Sequence, residues 1–286
     1  MAIAARSLLS SLRRSSSVRC AAVLAVVITI AWRGCKSSPP YTVDDSATTT
    51  IPSMEVKRCF RVERGPIRAT VCRVDLSTDR LQLFLQDEHE RVFGGFAALE
   101  SWLAPGGKQL VFGMNAGMFT PDFLPLGLYV GTTGRSWPLN TADGDGNFFL
   151  KPNGVFLVSE AGARIVETSE YASLRTPVTL ATQSGPLLVR AGVMHPAFRP
   201  QSTSRLIRNG VGVPTSPPGS VLFAITDTPV NFYELASLFR DTLHCPDALY
   251  LDGTVSSLQA PDLGRRDHHA RLGPIVGVTI DAAHSP

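Results

Sequence analysis

Asp252 ends an apolar run, Leu249-Tyr-Leu251, and is followed by Gly253, Thr254, Val255, Ser256 and Ser257. These residues read as a short buried strand that delivers a carboxylate, a glycine and two hydroxyls to its C-terminal edge. A rigid strand holds an acid in place while the next loop turns toward a ligand. An Asp-Gly turn carrying a surface Asp fits the same residues, so the weight falls on the other polar clusters.

Four clusters offer groups for recognition or proton transfer. Asn115 stands where a strand ending at Met114 becomes a loop, between Gly113 and Gly117. Glycine permits close backbone approach, and an Asn side chain both donates and accepts. Gln183 and Ser184 lie between two apolar strands, and Arg208 and Asn209 precede Gly210. An inward Arg pairs with a carboxylate or binds an anion such as phosphate. Asp227, Asn231 and Glu234 surround the start of a helix. Capping accounts for acids there, and best for Asp227; Glu234, further in, is the better acid candidate.

Other patterns point away from familiar sites. Ser184 has no Gly-x-Ser-x-Gly elbow around it, and its sequence neighbour His195 sits in a turn-like Met194-His-Pro-Ala197, which disfavours a Ser-His-Asp triad. Asp143-Gly-Asp145-Gly-Asn147 begins like a calcium loop, but Phe148 stands where the loop needs glycine. His268 and His269 are adjacent and on a strand face opposite ways. Arg265 to His269 reads as a mobile, solvated loop. No cofactor and no metal site are expected.

These groups need elements to position them. Strand patterns cover 67–76, 81–85, 110–114, 148–150, 155–158, 164–166, 178–181, 187–190, 206–213, 221–225, the run into Asp252, and 275–280. Residues 96–103 read as a short helix. The clearest helix spans 230–243, with Phe232, Leu235, Phe239 and Leu243 on one face and Thr228-Pro229 as cap and first turn. The pattern predicts an α+β fold: a single globular domain, 55–286, rich in mixed or antiparallel β-sheet with a few packed helices.

The N-terminus is of another kind. Its first 36 residues hold six of the 27 Lys and Arg and no acid, leaving 21 basic against 24 acidic residues in the rest. The positive net charge therefore gives no reason to expect a nucleic-acid partner. An Arg- and Ser-rich stretch precedes the 13-residue apolar run 20–32. That length suits a signal segment better than a full span. Residues 1–35 are expected to be a signal peptide or signal anchor, with Gly34-Cys35 resembling a lipoprotein processing site. Residues 36–54 read as a polar linker. The chain is expected to be exported, periplasmic or membrane-anchored, and its N-terminal segment to meet the membrane at least during export. Export permits a disulfide between Cys59 and Cys72, on two neighbouring strands; two unpaired thiols fit the spacing equally. Cys245 reads as an inert core thiol.

Taken in order, the segments Asn115 to Phe119, Leu126 to Tyr129, Gly146 to Phe156, Gln183 to Pro186, Ser204 to Gly212, Asp227 to Glu234 and Leu249 to Ser257 resemble the phosphodiester glycosidase (uncovering enzyme-like) domain family, in its uncharacterised bacterial branch. The resemblance implies a hydrolase that cleaves a sugar from a phosphodiester, such as N-acetylglucosamine joined to phosphate through its anomeric carbon. It carries over to Asn115, Gly117, Arg208, Asp227, Asn231, Glu234, Asp252, Gly253 and Ser256, and in the bacterial branch to Gln183 and Ser184. One departure bears on the substrate. The family has Asp-Gly-Gly where this chain has Asp252-Gly-Thr254, and branched side chains at 254 and 255 are expected to narrow the loop.

Glycosidic cleavage draws on carboxylates. Asp252 and Glu234 are the chosen pair, with Asp227 in reserve. Arg208 is expected to neutralise phosphate. Asn115, Ser184 and Ser256, with Gln183, Asn209, Asn231, Gly117 and Gly253 around them, are expected to bind a carbohydrate phosphate. A glycan-binding protein without catalysis, and a metal-dependent phosphodiesterase using Asp143, Asp145, Asp227 and Asp252, are the competing readings.

Overall fold

A computed structural model of the chain describes residues 57–282, which fall within one compact unit. The expected signal segment 1–35 and linker 36–54 lie outside the described residues. Among the described residues no helix is long and apolar enough to cross a membrane.

The elements in chain order are β1 (Cys59–Arg64), β2 (Ile67–Asp75), β3 (Leu81–Phe84), α1 (Phe96–Leu103), β4 (Lys108–Asn115), β5 (Tyr129–Val130), β6 (Ser136–Trp137), β7 (Gly154–Ser159), β8 (Gly162–Glu167), α2 (Thr168–Tyr171), β9 (Leu180–Ser184), β10 (Leu187–Arg190), β11 (Val193–Met194), β12 (Asn209–Val213), β13 (Ser220–Thr226), α3 (Phe232–Ser237), β14 (Asp247–Asp252), β15 (Leu258–Ala260), β16 (Arg265–Arg266) and β17 (Ile275–Asp281). They form three sheets, ordered β1-β2-β13-β12-β14-β10-β11, β16-β15-β4-β17-β3 and β6-β5-β9-β7-β8. Every described pairing is antiparallel. The expected α+β class thus resolves into a sheet-dominated fold with three short α-helices.

The largest sheet is buried on both faces, and the two-residue period of a strand explains its sequence. On β13, Val221, Phe223 and Ile225 enter a core shared by all three sheets. Leu222 and Ala224 face the opposite way, onto a second core under α3. Strands covered on both sides read as unbroken apolar runs, as 221–225 does. Helix α1 keeps its predicted bounds and packs Phe96, Leu99 and Leu103 against Phe84, Leu110 and Ile275. Cys59 and Cys72 stand opposite each other on β1 and β2 and are joined in a disulfide. Cys245 is free and buried, and burial pushes its thiol up to about 12, as suits an inert core position.

Three expectations are corrected. Residues 148–150 are not a strand: Asn147–Phe149 forms a 3₁₀ turn, held where the Asn153 amide donates to the Phe148 carbonyl at 2.8 Å. The helix expected over 230–243 starts at Phe232 and continues as π-helical turns over Leu238–Thr242. Its cap is Asn231 rather than Thr228-Pro229. The Asn231 side chain accepts from the Glu234 amide at 2.9 Å, and the Glu234 carboxylate accepts from the Asn231 amide at 2.9 Å, a reciprocal capping box. The run at 265–269 is not a free loop at its start: β16 pairs with β15, and the Asp267 carboxylate accepts from the Leu258 amide at 3.0 Å.

Candidate active site

Two sheets meet at the end of the largest one. Asn209 opens β12 opposite Asp252, which closes β14, with a bulge between Asn209 and Gly210. From the second sheet, β4 ends at Asn115. The Asn209 amide donates to the Asn115 side-chain oxygen at 3.0 Å and to its carbonyl at 3.1 Å. The Ser257 backbone N–H donates to the same side-chain oxygen at 2.9 Å. The Ser256 hydroxyl donates among Asp252 O, Ile207 O and Asn209 Oδ1, all within 3.3 Å. The Ser184 hydroxyl donates to Leu251 O at 3.0 Å. Asn115, Ser184, Asn209, Asp252, Gly253 and Ser256, taken from four separate stretches of sequence, thus converge.

One atom in this cluster stands out. The Asn115 Nδ2 is buried and has no hydrogen-bond partner. A buried polar group left unsatisfied costs about 1–3 kcal/mol and is rare in native proteins. Here the oxygen of the same amide is doubly bonded, so the amide is locked with its donor free.

Asp252 is 9% exposed and forms no ion pair among the described residues. Its Oδ1 accepts from the Gly253 and Thr254 amides at 2.5 and 2.8 Å. Burial raises its pKa above the ordinary carboxylate value; the amides of Thr254, Gly253 and Val255 pull it back only in part. A carboxylate in this state holds and releases a proton more readily near neutrality than a solvated one.

Arg208 immediately precedes β12. It is 1% exposed and has no carboxylate partner among the described residues. Its Nε donates to Val230 O at 2.9 Å, its Nη2 to Ser204 O at 3.1 Å, and its Nη1 to the Tyr250 hydroxyl at 3.0 Å. The guanidinium stacks on Phe232, 4.0 Å from the ring centre. Gly253 fits over this pair because it lacks a side chain. A Cβ there would sit 2.2 Å from the Tyr250 hydroxyl and 3.3 Å from Arg208 Nη1.

The remaining candidates are held elsewhere. Glu234 spends its carboxylate on the capping box and on Arg205, with contacts of 2.9 and 3.1 Å, and Asn231 ties its amide to Pro200 O and Ser202 O. Asp227 pairs with Arg265 and accepts from Thr70. Neither acid shares a hydrogen-bond partner with Asp252. Gln183 is consumed in structure: its oxygen accepts from Leu128 and Asn140 amides, and its nitrogen donates to Asn140 O and Thr168 Oγ1. Gly117 allows the chain after β4 to press on β9, where a Cβ would come within 2.4 Å of Gln183 O. Thr254 is exposed, and Val255 packs against the apolar cluster around α1.

His195 is turned away from Ser184: its Nε2 meets Lys151 O at 3.1 Å and its Nδ1 accepts from the Ala197 amide. Among the described residues no three His, Cys, Asp or Glu are grouped to hold a metal, and Asp143 is bonded to Lys151. Tyr250 and Ser257 were absent from the candidate residues. The signal for Tyr250 was present: two residues before Asp252 on a strand, it shares that residue's face.

A family profile described as phosphodiester glycosidase matches residues 108–267, a stretch that contains every candidate residue. YigE of Escherichia coli (strain K12), an uncharacterized protein, is 34% identical over 185 residues, which make up 65% of this chain and 71% of that protein. The catalytic domain of zebrafish N-acetylglucosamine-1-phosphodiester alpha-N-acetylglucosaminidase, auto-inhibited by its pro-peptide, is similar in structure with a TM-score of 0.49 and 12% identity, covering 77% of this chain and 81% of that one. The profile match over more than half of the sequence, together with the bacterial relative, makes this chain a member of the phosphodiester glycosidase family.

Proposed function

We propose that the protein hydrolyses the bond between the anomeric carbon of a sugar and a phosphodiester oxygen, with Asp252 as the reacting carboxylate. The observation that carries this reading is the pairing of a buried, cation-free Asp252 with the free amide donor of Asn115 in one cluster. A phosphate leaves as a stable anion and needs little protonation. One carboxylate at the anomeric carbon therefore suffices, where an alcohol leaving group asks for two. Asn115 Nδ2 donates to a sugar hydroxyl or phosphate oxygen, and a preset donor costs no reorganisation when charge develops. Arg208 adds positive potential behind the leaving phosphate. Asn209, Ser256 and Ser184 hold the cluster in register. Glu234, Asn231, Asp227, Gln183 and Gly117 support the scaffold around it.

The basic and apolar N-terminal sequence supports a site of action outside the cytoplasm, on an envelope or extracellular glycan phosphate. Incubating the full chain with anomeric sugar phosphodiesters, such as N-acetylglucosamine linked through phosphate to a second alcohol, tests the reading. The expected result is free sugar, at an unchanged rate with chelator. Sugar phosphate as product, or loss of the activity with chelator, supports a metal-dependent phosphodiesterase instead. Binding without turnover supports a glycan-binding protein.

A further inference from the structure

The largest sheet carries a second polar cleft, away from Asp252. Residues directly opposite each other on antiparallel strands share a face. Arg73 stands opposite Leu222, and Asp75 opposite Ser220. Arg58 lies beside Arg73, whose backbone N–H donates to Arg58 O at 2.9 Å. Arg58, Arg73, Asp75, Asp79 and Ser220, with the exposed Lys57, line a cavity of about 430 Å³. Ser220 opens β13, whereas Ile225, near its other end, faces Asn209, the partner of Asp252. At about 3.3 Å per residue, roughly 17 Å of strand separates Ser220 from that end. Both acids in the cleft are engaged. Asp79 takes both arms of the Arg58 guanidinium, at 2.5 and 2.8 Å, and the Asp75 amide at 2.9 Å. Asp75 Oδ1 accepts from the Ser77 hydroxyl at 2.6 Å and its amide at 2.9 Å. Arg73 is left over: its guanidinium forms no hydrogen bond and no ion pair within 4.0 Å among the described residues. Asp75 feels its charge without bonding to it. Ser220 is 2% exposed, and its hydroxyl is buried with no partner. A half-buried cation without a counter-charge and a buried hydroxyl without an acceptor are each unfavourable.

We propose that this cleft is a second, non-catalytic site that binds a phosphate group through Arg73, Ser220 and Lys57. The unspent groups are donors: a guanidinium fork, a hydroxyl and an ammonium. The ligand that satisfies them carries several acceptor oxygens and negative charge, as phosphate does, and a guanidinium fork matches two of those oxygens at once. A neutral ligand would leave Arg73 uncompensated. A cation would meet three basic side chains against two acids that are already bonded. Free phosphate, a phosphodiester of a soluble glycan and a phospholipid headgroup share this chemistry. The headgroup is a source to test because Lys57 closely follows, in sequence, the linker 36–54 expected after a membrane-directed segment. The site stands whether or not Asp252 is the reacting carboxylate.

The test is an NMR titration of the full chain with inorganic phosphate, following the backbone amides of Arg73 and Ser220. Both should shift and approach saturation at about millimolar phosphate. Arg73→Met keeps the apolar stem and loses the fork, and should weaken this binding about tenfold or more. Ser220→Ala, a smaller change to the fold, should weaken it severalfold. Neither should alter hydrolysis of a small sugar phosphodiester. Phosphatidylglycerol vesicles, compared with phosphatidylcholine vesicles, separate the sources. Affinity for the anionic vesicles that drops in Arg73→Met supports a lipid headgroup; a response to inorganic phosphate with equal vesicle affinity in parent and variant supports a soluble phosphate ligand. No shift at either amide at about ten times that phosphate concentration overturns the proposal. So do shifts that Arg73→Met leaves unchanged, or shifts confined to the amides around Asn115 and Asp252.

Discussion

Asp252→Asn is expected to lower hydrolysis of an anomeric sugar phosphodiester by about 100- to 10,000-fold, the usual weight of a positioned proton-transfer group. The same exchange should stabilise the fold at neutral pH. The side chain is 9% exposed and burial raises its pKa. The folded chain therefore binds a proton that the unfolded chain has already released. Stability from this group is present below the ordinary carboxylate value of 3.8 and is lost as pH rises through the raised folded value. Asn avoids that loss, and its side-chain oxygen still accepts from the Gly253 and Thr254 amides. The melting temperature should rise by about 2–4 °C at neutral pH, the equivalent of about 1 kcal/mol for a domain of this size. The gain should vanish at about pH 3. An activity loss joined to a stability gain marks a residue retained for function; thermal melts of both proteins at the two pH values check it.

Arg208→Met should destabilise the protein by about 3–5 kcal/mol, read as a lower urea midpoint at constant slope. Replacing a buried ion pair by apolar residues is often harmless because both partners can be changed together. That route is closed here. The acceptors are Val230 O, Ser204 O and the Tyr250 hydroxyl, and two of them are main chain. Each acceptor left bare costs about 1–3 kcal/mol. Arg208→Lys should recover only part of the loss, because one ammonium cannot reach three directions as a guanidinium fork does. A Met variant within about 1 kcal/mol of the parent would show that these bonds are not what holds α3 and the 204–208 segment to the sheet.

Strands were legible wherever a segment is covered on both faces or alternates, as at 67–75, 187–190 and 220–226. Helix α1 was legible because Pro105 and the glycines after it end the apolar pattern cleanly. The start of α3 was misread because Pro229 is a first-turn signal in its own right. The stronger signal was Asn231 with Glu234 three residues on, where two backbone amides are satisfied at once. Missing it also made Glu234 look like a free acid.

The same limit explains the split among the candidate residues. Asn115 and Asp252 each end a strand, which the sequence marks by an apolar run stopping at a polar residue; Asn209, which opens β12, and Ser256, in the loop after β14, join them. The partners that occupy Asp227 and Glu234 are Arg265 and Arg205, and pairings across 38 and 29 positions leave no local pattern. Tyr250 was passed over because an aromatic residue inside an apolar strand has the pattern of core. Its hydrogen-bond donor, Arg208, comes from the segment before β12.

The most direct measurement is hydrolysis of an anomeric sugar phosphodiester in water enriched in oxygen-18, with mass analysis of both products. Attack at the anomeric carbon beside Asp252 places the heavy oxygen in the released sugar and none in the phosphate monoester. Heavy oxygen in the phosphate, with the sugar unlabelled, would mean that the phosphorus is attacked and that the carboxylate at 252 does not act on the sugar.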